Sequence, residues 1–200
     1  MPEQPSGRRE RKKAATRQKI ADTALRLFLE RGYDVVGIRD VAAEADVAVT
    51  TVFAHFASKE ALVFERDADF EQRLAGAVTD RAPGEPLVPA LRREIHALVR
   101  HCLADDAAPV WHMIDTSPAL REYEGSMRLR HAEALATALA AEPGPPRTGT
   151  VRRAIARFVV DAFALARGAD DPQAAVDEIF RMIEAAWEAA ERSARVPQPG

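Results

Sequence analysis

Along most of the chain, apolar side chains recur at i, i+3, i+4 and i+7, the spacing that lines one face of an α-helix. The pattern opens with Ile20, Ala24, Leu27 and Phe28, predicting a helix from about Thr16 to Arg31 that ends at Gly32, a suitable left-handed cap. It repeats over Ile38–Ala45 through Ile38, Val41, Ala42 and Ala45, and again over Val49–Phe56 through Val49, Val52, Phe53 and Phe56. A fourth helix is expected to start at Ser58, whose hydroxyl can cap it, and to run to about Asp80 before "RAPGEP" breaks it. Longer pieces follow: Leu87–Leu103, Ala108–Asp115, Pro118–Ala141, Arg147–Ala166 and Pro172–Ala194, separated by "ADDAAP", "DTSP", "EPGPP" and "RGADD". No segment alternates with the β-branched enrichment of a strand, so the expected class is all-α, with a frayed "RVPQPG" tail at the end.

The two short helices carry the same apolar template and stand only a few residues apart, which is the spacing of a helix-turn-helix. Leu27, Phe28, Ile38, Val41, Val47, Val52, Phe53 and Phe56 are the expected core of a small three-helix head. Burying that stripe leaves Thr50, Thr51, Ala54 and His55 outward on the second short helix, a size and polarity that suit a DNA major groove.

Composition narrows the function further. Two hundred residues with 47% apolar and 30% charged content are enough for one large domain or a small one fused to a larger one. No apolar run is long enough to span a bilayer and none at the N-terminus resembles a secretory signal, so a cytoplasmic protein without a membrane partner is expected. The single cysteine, Cys102, excludes an intrachain disulfide. The net charge of −3 is uneven: residues 1 to 20 hold seven basic side chains against two acidic ones, a net of +5, which leaves −8 for the remainder. A basic arm on an acidic body suits a chain that meets a polyanion at one end.

Residues 16 to 62, and above all "ALRLFLERGYD", "IRDVAAEADV" and "TVFAHFASKEAL", resemble the DNA-binding domain of the TetR (tetracycline repressor-like) family of transcriptional regulators. The resemblance implies an all-helical homodimer with a three-helix head and a helical body for dimerisation and ligand sensing. Carried over by position, it makes Thr50 and Thr51 groove-facing residues and His55 and Lys59 phosphate neighbours. Arg39 becomes a phosphate or base contact, and Arg11, Lys12, Lys13 and Arg17 would follow the adjacent groove. Five positions depart from the family pattern: Gly37, Ala48, Asp46, Ala57 and Ala54, the last removing a possible contact. Ala48 cannot cap the second short helix, which loses about 1 kcal/mol of terminal stabilisation, and Asp46, where a glycine usually makes the turn, can adopt the left-handed conformation at some strain. Readout is accordingly expected to lean on thymine methyl groups and DNA shape.

These signals divide the chain into a flexible arm at 1–15, the DNA-binding head at 16–62, a ligand-binding and dimerisation body at 63–195 and a tail at 196–200. In the body, Leu98, Cys102, Trp111, His112, Met127, Phe158 and Phe163 are the candidate pocket residues. The stripes on the last two long helices, with Ile155, Val159 and Ala162 on one and Ile179, Ile183 and Trp187 on the other, are the candidate dimer surface. His96, His101, His112 and His131 lack the spacing of a metal site, and no phosphate loop, nucleophile elbow or zinc-protease motif is present. No metal, cofactor or catalysis is therefore expected. The expected function is a repressor that binds a palindromic operator as a dimer and releases it on binding a small organic effector; the alternative is a helical ligand carrier or enzyme that binds no DNA.

Overall fold

Lys, Arg, Ala and Gln dominate the first twenty residues, and all of them favour helix. In the computed structural model, which describes residues 5–65, 67–82, 84–141 and 148–195, α1 accordingly runs over Pro5–Arg31. The expected arm is thus not irregular from Pro5 onward: Arg11, Lys12 and Lys13 are exposed on a helix that starts well before Thr16. Residues 1–4, 142–147 and the tail 196–200 lie outside the described residues, together with the expected helix start at Arg147. The other helices are α2 (Ile38–Glu44), α3 (Val49–His55), α4 (Glu60–Val63), α5 (Asp67–Thr79), α6 (Leu87–Cys102), α7 (Ala108–Thr116), α8 (Pro118–Ala141), α9 (Gly149–Arg167) and α10 (Pro172–Arg195).

Two compact units result: Met1–Asp67 with Pro109–Arg121, and Ala68–Ala108 with Glu122–Gly200. In the first, Ile20, Ala24, Leu27 and Phe28 of α1 meet Val41, Ala45, Val52, Phe56 and Leu62 in one buried cluster. Gly32 ends α1 with φ 94° and its N–H on the Phe28 carbonyl at 2.9 Å, and Asp46 takes φ 53° in the turn between α2 and α3. Nothing lies within 4 Å of a side chain built at Gly32, so Gly32→Ala meets no clash and its cost is purely that of the backbone. That change is expected to lower unfolding free energy by about 1–2 kcal/mol with an unchanged denaturant slope in urea titration.

Three expectations need correction. The helix from Ser58 is two helices, α4 and α5; neither proline nor glycine stands between Val63 and Glu65 to announce the break. Ser58 still caps α4, its hydroxyl accepting from the Ala61 N–H at 3.3 Å. The chain around α7 does not belong wholly to the body, because Ile114 and Leu120 are buried in the head's cluster with Val110, Trp111 and Met113 packed against it.

The third correction concerns the body, where α6, α9 and α10 pack on one another. Ile155, Val159, Ala162, Ile183 and Trp187, expected on a dimer surface, are at most 9% exposed, and Ile179 is half-buried. Their stripes close this chain's own core. The large apolar side chains left outside on these helices are Phe158 and Leu165 of α9 and Met182 of α10, which are 55%, 64% and 69% exposed.

Candidate DNA-binding helix and its supports

The turn between α2 and α3 sets the candidate site. Asp46 reverses the chain, the Val47 N–H bonds the Ala42 carbonyl at 3.0 Å, and α3 follows its N-cap Ala48, which offers no side-chain cap. At the start of α2, the Asp40 carboxylate accepts from the Gly37 N–H at 2.7 Å, while glycine has no side chain to cap the first amides of the helix. Val52 and Phe56 anchor α3 inward, and Thr50, Phe53 and Ala54 form its exposed ridge, with Thr51 and His55 half-buried at the flank. Arg39 is exposed in the first turn of α2. Phe53, expected in the core, is instead 56% exposed. Val49, Val52 and Phe56 already cover the inward side of so short a helix, and Phe53 falls toward the edge next to Thr50.

Two of the basic candidates are committed within the head. Arg17 donates from Nε to Glu65 at 2.7 Å and from Nη1 to the His55 carbonyl, and its guanidinium lies 4.3 Å from the Phe56 ring centroid. It clamps the end of α3 against α1 and the segment after α4, so it acts as a support and not as a member of a free basic arm. Lys59 donates Nζ to the Tyr33 carbonyl and lies 4.0 Å from the Tyr33 ring centroid and 5.5 Å from that of Phe28. With one of its three donors on Tyr33, the ammonium keeps two for an outside acceptor. Burial lowers its pKa, against the opposing charges of Asp34 and Glu60.

Tyr33 is buried, edge-on to Phe28 at 5.1 Å, and its hydroxyl donates to Glu60 Oε1 at 2.8 Å. Desolvation, followed by this bond, pushes the phenol well above its ordinary range. For Glu60, burial raises the pKa, but Ser58, the local backbone amide, Tyr33 and Lys59 together outweigh it and hold the carboxyl below its usual value. Tyr33, Lys59 and Glu60 therefore fasten the loop after α1 to α4. Residue types alone did not reveal this cluster, because its members come from distant parts of the chain.

In the body, Leu98, Cys102, Met127 and Phe163 are buried. Phe163 meets Phe70 edge-on at 5.1 Å, and Phe70 stacks on His131 at 4.9 Å. Nearby in sequence, Arg167 donates to Glu124 at 3.0 Å with side chains only 6% and 11% exposed. The other pocket candidates stand elsewhere: Phe158 faces outward, His112 is exposed, and Trp111 packs on the head's cluster. Among the described residues, no three His, Cys, Asp or Glu side chains gather as metal ligands, and no helix is long and apolar enough to cross a membrane.

Comparison with known proteins agrees with this geometry. Residues 20–65 match the family described as "Bacterial regulatory proteins, tetR family". The chain is 31% identical over 93 residues to the HTH-type transcriptional regulator TcmR of Streptomyces glaucescens, covering 46% of this chain and 41% of that one. It is 32% identical over 121 residues to the HTH-type transcriptional repressor Rv3405c of Mycobacterium tuberculosis, covering 60% of this chain and 63% of the other. The matches thus span less than two thirds of either relative. The fold of the TetR family repressor AlkX from a Dietzia species superposes with a TM-score of 0.61 at 20% identity, over 86% of this chain and 98% of that one. Residues 20–65, which hold a helix-turn-helix whose second helix turns a small ridge outward, thus match the domain of the family described as bacterial regulatory proteins, tetR family, and the fold around them is similar to that of a solved TetR family repressor.

Proposed function

We propose that the protein is a ligand-responsive transcriptional repressor that binds a palindromic operator as a homodimer in the cytoplasm. The observation that carries this reading is the ridge of Thr50, Phe53 and Ala54 on α3, exposed on a helix that Val52 and Phe56 anchor from behind. In a major groove the hydroxyls of Thr50 and Thr51 meet base edges and the Phe53 ring meets thymine methyl groups. Arg39, the free donors of Lys59, and Arg11, Lys12 and Lys13 on α1 hold phosphates, while His55 flanks them. Arg17 contributes by fixing the end of α3.

Two-fold operators require two matched recognition helices. The second copy docks on the exposed apolar side of α9 and α10, through Phe158, Leu165 and Met182, in a four-helix interface. The effector is a small organic molecule taken up in the body beside Met127, Phe163 and the Phe70–His131 stack, where aromatic faces adjoin a buried ion pair. It releases the operator by binding one spacing of the two heads more tightly than the other.

Footprinting on DNA flanking the protein's own gene tests the reading. A palindromic protected segment is expected, with affinity falling steeply as salt rises from 50 to 200 mM, as the release of phosphate counterions requires. No protection, together with salt-independent retention of duplexes, leaves the ligand-carrier or enzyme alternative in its place.

A further inference from the structure

Helix α6 carries three arginines and a histidine on one stripe, Arg92, Arg93, His96 and Arg100, spaced so that they lie along the same side of the helix. Its neighbour α10 answers with Gln173, Asp177 and Arg181 at successive steps of four. Together these side chains and Pro89 line an open cleft of about 750 Å³ on the body. The volume falls in the range of small-molecule sites, roughly 300–1,000 Å³.

The lining is internally organised. His96 sits between the two α10 partners, Nδ1 at 2.7 Å from Gln173 Oε1 and Nε2 at 2.9 Å from Asp177 Oδ1, which ties the floor of the cleft across both helices. The His96 bond, with Arg92 and Arg181 adding to it, holds the Asp177 carboxyl below its usual range against the opposing effect of burial. Arg93 is engaged by Glu85. Arg92, Arg100 and Arg181 make no hydrogen bond or close ion pair among the described residues, so three guanidiniums face one carboxylate. This occurs on a body whose sequence from residue 67 onward holds 21 acidic and 16 basic side chains, a net of −5.

We infer that this cleft is a binding site for a small multivalent oxyanion, an organic phosphate or a polycarboxylate. Guanidiniums present paired N–H donors that match phosphate and carboxylate oxygens, and several around one hollow favour an anion with more than one charge. An extended polyanion is disfavoured by the net negative charge of the body as a whole. On α10 the stripe of Gln173, Asp177 and Arg181 points roughly opposite to Met182 and Ala186, so pairing through the exposed apolar face leaves the cleft open. The site is separate from the operator-binding reading and does not depend on it.

Isothermal titration of the full chain with inorganic pyrophosphate and, in a second arm, citrate decides the matter. Saturable binding of at least one of them near one per chain is expected, the arm that responds telling phosphate from carboxylate. Arg92→Gln with Arg181→Gln should weaken it by about tenfold or more, while Arg130→Gln on α8 leaves it unchanged and all variants keep the parent melting curve. Absence of saturable binding in both arms, or equal affinity in the double variant, overturns the inference. So does a loss of random-sequence duplex binding in the double variant that matches its loss of pyrophosphate or citrate, since the cleft would then serve nucleic acid.

Discussion

Phe158→Glu combined with Leu165→Glu is expected to give a folded monomer that barely holds operator DNA. Both side chains are more than half exposed, so neither change opens a cavity, and surface substitutions of this kind move stability by about 0.5 kcal/mol or less within one chain. Two carboxylates on each side of a two-fold interface bring four into one contact, which adds like-charge repulsion to the loss of apolar burial. Joined heads bind as one unit because the second contact is intramolecular, and losing that linkage costs roughly a hundredfold to ten-thousandfold in apparent affinity. Analytical ultracentrifugation and gel mobility of the same preparation check both halves. A double variant that stays dimeric with full operator affinity places the interface elsewhere. Ile183→Ala is the counterpart: at 2% exposure its loss should cost about 2–5 kcal/mol of fold stability, as a core residue does.

Phe53→Ala should separate binding from folding in the head. At 56% exposure the ring contributes little to the core, so urea unfolding is expected to shift by no more than about 0.5 kcal/mol. Operator affinity, read by fluorescence anisotropy, should fall roughly tenfold, because the ring supplies the ridge's largest apolar contact to thymine methyl groups. Were the ring a core residue, as its place in the i, i+3, i+4, i+7 pattern suggests, the same change would cost about 3–5 kcal/mol of stability. A large stability loss with unchanged affinity per folded molecule would reject the exposed placement.

Much of the head was legible from residue order. The stripes of α1, α2 and α3, the cap at Gly32 and the left-handed Asp46 all follow from local chemistry: apolar spacing, the freedom of glycine, and the tolerance of a short acidic side chain for positive φ. The roles of Arg17 and Lys59 were not legible. Arg17 looks like a phosphate contact until the fold brings Glu65 and the His55 carbonyl to it, and Lys59 gains a second task when the Tyr33 carbonyl takes one of its donors. The body shows the same limit, since stripes taken for a partner surface proved to be occupied by the chain's own helices.

The order of residues by itself determined that this chain is helical, where its head turns, and which family its residues 20–65 resemble, because period, caps and turn residues act over a few neighbouring positions. The tertiary structure alone decided which side of each helix stays wet. It enlisted Ile114 and Leu120 in the head's core, turned Phe53, Phe158 and Leu165 outward, and gathered the arginines of α6 and α10 around one cleft. Burial depends on which distant segments arrive to cover a face, and that is a property of the packed whole that no local pattern carries.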